Sequence, residues 1–67
     1  MKFCERLKEL RKERNLSQMD LALATNISQS AIAKWELGKT EPTASALIAL
    51  CKFFNESCDF LLGLTDE

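Results

Sequence analysis

Gln29, Ser30, Ala33 and Lys34 are the residues of this 67-residue chain whose types and spacing best suit chemistry, and the chemistry is recognition rather than catalysis. An amide presents a donor beside an acceptor, a hydroxyl presents either, an ammonium carries charge and a methyl gives apolar contact. At helical spacing the four fall on one side, while Ile32 and Trp35, three apart, point the other way. Taken alone, such a face reads first as an ordinary solvated helix surface. Catalysis finds less support, because the chain has no histidine, no Gly-rich phosphate loop, no nucleophile motif, and glycine only at Gly38 and Gly63. Its three cysteines, Cys4, Cys51 and Cys58, form no Cys-x-x-Cys pair and have no second ligand type beside them. The expectation is buried thiols acting as small hydrophobes, with no disulfide, metal or cofactor.

Helices must position that face, and their start and stop signals are legible. Phe3, Leu7 and Leu10 form one helical stripe, and Asn15 fits the left-handed residue that ends a helix. Ser17 reads as an N-cap with Asp20 returning the bond three residues on, and Leu16 and Leu21 fit a hydrophobic staple. Met19, Leu21, Ala22 and Leu23 supply apolar surface up to about Thr25, and Asn26 stands where the chain must turn sharply. Ser28 repeats the cap, and Gly38 ends the helix it opens. Pro42 bars continuation, and Thr43 caps a segment whose broad inner face is Leu47, Ile48, Leu50, Cys51 and Phe54. After Asn55, Ser57 caps a last short helix that Gly63 stops, and residues 64–67 read as a frayed tail. Phe53, Phe60, Leu61 and Leu64 are candidates for core; any left exposed imply a dimer contact.

Residues 17–38 are therefore two capped helices joined by a tight turn. Such a pair needs a small residue where the helices meet, here Ala22, and a residue tolerant of positive φ in the turn, here Asn26. This is the layout of a helix-turn-helix, whose second helix can lie in a DNA major groove.

From about Arg6 to Gly63 the chain resembles the Cro and phage-repressor, or XRE-type, helix-turn-helix family. The resemblance is carried by Arg-Leu-Lys-Glu-Leu-Arg at the start, Leu-Ser-Gln before the second helix, Gln18 through Trp35, the following Glu-Leu-Gly-Lys-Thr-Glu-Pro, and Asp-Phe-Leu-Leu-Gly at the close. It implies an all-α, five-helix, lambda-repressor-like domain over residues 1–67, with the helix-turn-helix at about 18–37 and a recognition helix at about 28–37. It also implies sequence-specific DNA binding and transcriptional regulation, of the phage or mobile-element repressor kind, by a homodimer on double-stranded DNA. By resemblance, Gln29, Ser30, Ala33 and Lys34 contact bases, Gln18, Lys39 and Thr40 hold phosphates, and Arg11 and Glu36 form an internal salt bridge. An amide such as Gln29 can pair bidentately with adenine, and Lys34 can reach guanine O6 or N7. The family commonly has glycine at Asn26, an apolar residue at Thr25 and a basic residue at Glu41.

Charge distribution qualifies this reading. The net charge is −1. Residues 1–40 nevertheless hold eight basic side chains (Lys2, Arg6, Lys8, Arg11, Lys12, Arg14, Lys34, Lys39) against five acidic ones, a local +3. Phosphate contact needs a local basic face rather than a basic whole. The composition, 46% hydrophobic and 28% charged, is that of a folded domain. No apolar run approaches the roughly 20 residues of a membrane span, and the charged N-terminus is unlike a signal peptide. The expectation is a cytoplasmic, non-enzymatic protein with no membrane partner. The competing reading is the same fold used as a protein-interaction module with little or no DNA affinity.

Overall fold

Hydroxyl side chains open most of the helices, and asparagine or glycine closes them. The computed structural model describes residues 1–66 and places among them α1 (Phe3–Glu13), α2 (Gln18–Thr25), α3 (Gln29–Glu36), α4 (Ala44–Phe54) and α5 (Cys58–Leu61). Ser17, Ser28, Thr43 and Ser57 each accept the N–H three residues on, at 2.9, 3.1, 3.2 and 3.0 Å. At α2 the box is reciprocal, with Ser17 N donating to Asp20 at 2.9 Å. The closures use the left-handed region, at φ 58°, 59° and 55° for Asn15, Asn26 and Asn55. At Gly63, φ 80°, a side chain is excluded twice over, since a Cβ there would also run into the carbonyl of Met1.

The core is Leu7, Leu10, Leu21, Ala22, Ile32, Trp35, Leu50, Cys51, Phe54 and Leu61. Helix α3 packs on α1 and α2, α4 on α2 and α5, and α5 returns to α1. Helix α3 is thus gripped from two sides by helices that precede it. Ile48, an expected inner position, faces out at 50% exposed, and of the apolar residues of α2 Met19 and Leu23 are 49% and 77% exposed. At about 100° per residue, Leu47, Leu50, Cys51 and Phe54 share one narrow arc and Ile48 falls outside it. The same geometry turns Leu23 away from the side of α2 that carries Leu21 and Ala22.

The residues after α5 are tied down rather than frayed. Leu64 N donates to Asp59 O at 2.8 Å, and Gly63 lies against Met1. Glu67, the last residue of the expected frayed tail, lies outside the described residues. Leu61 is core, Phe53 and Phe60 are half-buried, and Leu64 is exposed.

Candidate nucleic-acid interface

The turn between α2 and α3 sets the angle at which α3 is shown to the outside. Asn26 takes φ 59°, ψ 30° and donates its N–H to Ala22 O. Ile27 N donates to the same oxygen at 3.2 Å, so one carbonyl closes α2 and holds the first residue beyond it. Ala22 is 7% exposed at this contact, the small residue where the two helices meet. Thr25 turns its hydroxyl onto Leu21 O at 2.7 Å, so its polar group costs nothing in the half-buried position.

Ile32 and Trp35, 0% and 6% exposed, root α3 in the core. Gln29, Ser30, Ala33 and Lys34 then occupy an arc of about 140° on the opposite side. Gln29, Ser30 and Lys34 are exposed and Ala33 is half-buried between them. The amide, hydroxyl and ammonium make no hydrogen bond within the protein among the described residues, beyond the helix ladder of their backbones. Gly38, φ 75°, ends the helix with its N–H on Trp35 O at 3.0 Å, and Lys39 N reaches Lys34 O at 2.9 Å. Lys39 and Thr40 therefore leave α3 on a fixed backbone, with exposed side chains.

Beneath that face, Glu36 joins three helices. Arg11 of α1 grips its carboxylate with both prongs, Nε at 2.7 Å and Nη2 at 2.8 Å, while Nη1 donates to Leu16 O at 2.8 Å. Gln18 of α2 donates Nε2 to the same carboxylate at 3.2 Å. The Glu36 side chain is only 4% exposed and that of Arg11 10%. Burial pushes the Glu36 carboxyl up, but hydrogen bonds from Arg11 and Gln18, with the charges of Arg11 and Lys8, hold it below the usual range. The same carboxylate raises the Arg11 guanidinium through its hydrogen bond. A carboxylate in the last turn opposes the helix dipole, so the guanidinium is what makes Glu36 tolerable there. Gln18 keeps its carbonyl and a second N–H beside the start of α2, where free backbone N–H groups attract anions.

Two further basic residues, counted in the local positive charge of residues 1–40, have partners within the protein: Arg6 is buried and Arg14 is exposed at the surface. Arg6 is 4% exposed, its Cζ 3.8 Å from the centroid of the Phe60 ring. Arg14 donates to Phe53 O at 3.2 Å and Phe54 O at 2.7 Å, closing the end of α4. Neither has a local signal, since their partners lie dozens of residues away. Among the described residues, the exposed lysines Lys2, Lys8, Lys12, Lys34, Lys39 and Lys52 make no ion pair.

The family model described as helix-turn-helix matches residues 7–61. The chain is 44% identical over 63 residues to the HTH-type transcriptional activator BcrR of Enterococcus faecalis, covering 94% of this chain and 31% of that protein. It is 38% identical over 58 residues to repressor protein C2 of Salmonella phage P22, covering 87% of this chain and 27% of that protein. A transcriptional regulator from Listeria innocua has a similar solved structure, with TM-score 0.87 and 33% identity, covering 98% of this chain and 62% of that one. The chain thus spans less than two thirds of each of these relatives. Matches across α1 to α5, at these identities and on this fold, place the chain in the Cro and phage-repressor, or XRE-type, helix-turn-helix family.

Proposed function

We propose that residues 1–66 act as one DNA-binding domain of a sequence-specific transcriptional regulator of the repressor kind, with α3 in the major groove. One observation carries the reading. The outer arc of α3 holds an amide, a hydroxyl and an ammonium that no group among the described residues satisfies, on a helix whose other side is fixed in the core. Unsatisfied, well-positioned polar groups suit base edges, which present a donor and acceptor pattern of their own. Gln29, Ser30, Ala33 and Lys34 read bases, Ala33 by contact with a thymine methyl. Gln18, Lys39 and Thr40 hold phosphates, which fixes register without reading sequence.

Two copies bind together, on half-sites roughly 34 Å apart. Leu37 and Leu64, 69% and 74% exposed, flank the half-buried Phe3 and supply apolar surface for that pairing. The same leucines, with the net charge of −1, favour the second reading, an interaction module without DNA affinity. A gel shift on random-sequence DNA at low salt separates the two. The regulator binds at micromolar protein, and Lys39→Ala weakens every sequence alike; absence of any shift at that concentration selects the interaction module.

A further inference from the structure

Cys51 and Cys58 meet across the junction of α4 and α5, their Sγ atoms 2.8 Å apart. Both are free thiols, Cys51 buried and Cys58 half-buried, and Cys4 stands apart beside Gly38. The backbone that brings them together is fixed independently of sulfur. Asn55 turns the chain at φ 55°, Glu56 N donates to Cys51 O at 3.0 Å, and Ser57 caps α5. A disulfide needs the sulfurs only about 0.8 Å closer.

We propose that Cys51 and Cys58 form a thiol–disulfide site, closed reversibly by a peroxide into a bridge within one chain that locks α5 to α4. The more accessible Cys58 sulfur attacks the peroxide O–O bond, giving the sulfenic acid and one water. The Cys51 sulfur then attacks the sulfenic sulfur, its proton leaves with the hydroxyl as a second water, and two thiols have lost two electrons to one hydrogen peroxide. A dithiol reductant reverses the reaction by exchange. Cys58 is half-buried and Cys51 buried, so peroxide meets Cys58 first and Cys51 takes the resolving role; burial, together with the hydrogen bond to Cys58, pushes the Cys51 thiol up to about 12. The bridge closes a short loop at the last element to join the core, where Leu61 is fully buried, so its consequence is thermal persistence of a small domain.

The test treats the full chain with hydrogen peroxide, blocks remaining thiols with N-ethylmaleimide, and digests with trypsin. Cleavage after Lys39 and Lys52 separates the two cysteines into peptides 40–52 and 53–67. The expected result is those two peptides linked and released by dithiothreitol, with the alkylating group on Cys4 alone. The oxidised chain should melt on the order of 10 °C higher. Cys4→Ser should keep both effects and Cys58→Ser should lose both. Alkylation of all three cysteines after peroxide, sulfinic acid at Cys58, or bridges between chains would each overturn the proposal.

Discussion

At the scale of single residues, Glu36 does the most unusual work. It brings a negative charge to a helix end that disfavours it, yet it is the point where α1, α2 and α3 are tied. Glu36→Gln leaves the Arg11 guanidinium without its counter-charge, so a loss of about 3 kcal/mol is expected in urea unfolding. A domain of this size is stable by only about 3–10 kcal/mol, so that loss is a large share of the whole. The Glu36 carboxyl is held low in the folded state, so its contribution is complete above the ordinary carboxylate range and disappears as pH falls through the depressed value. Unfolding followed against pH should therefore show a loss of stability in acid that Glu36→Gln lacks; parallel curves would contradict the assignment. The residues of this junction come from α1, α2 and α3, and their pairing entered the sequence reading only through family resemblance. No local spacing links position 11 to position 36. The Gln18 bond to Glu36 was not legible either, because an amide at the start of a helix reads as solvent-facing until its neighbour is known.

At the scale of elements, caps were the most readable part of the chain. Ser17, Ser28, Thr43 and Ser57 act within three residues of themselves, so a local pattern suffices to find them. Asn15, Asn26 and Asn55 are legible for the same reason. Ser28→Ala, which removes the bond to Ala31 N, should cost about 1 kcal/mol. Asn26 tests the turn directly. Asn26→Ala places a Cβ without a compensating polar group at φ 59° and should destabilise by about 1 kcal/mol, whereas Asn26→Gly should match or exceed the parent chain. Equal melting temperatures for the alanine and glycine variants would mean that the turn relaxes out of the left-handed region. What the elements hid was which apolar residues face inward. Ile48 and Leu23 have the right type for core, but the direction of a helical side chain depends on the helices packed around it, and those are chosen at the next scale.

At the scale of the whole molecule, the distribution of arginine and lysine determines how the protein meets DNA. Arg6 and Arg11 are buried and Arg14 donates to the carbonyls that end α4, so the lysines are the basic side chains whose heads are free to neutralise phosphate. Six exposed lysines bound the salt dependence. The slope of log K against log salt should be no steeper than about −5.4 per protomer, at about −0.9 for each phosphate. Lys39→Ala should flatten it by about 0.9, while Arg14→Ala should lower stability and leave the slope unchanged. A sequence count gives the number of basic residues but not which of them are consumed by the fold. The central claim, that the outer arc of α3 reads base edges, is tested most directly by titrating the chain and Gln29→Ala on a site selected from a random DNA pool and on its single-base-pair variants. The account predicts that Gln29→Ala weakens binding to the selected site by about 1–3 kcal/mol and erases discrimination at one base pair of each half-site, leaving the other positions intact. Unchanged affinity, or a loss spread evenly over selected and random DNA, would contradict it.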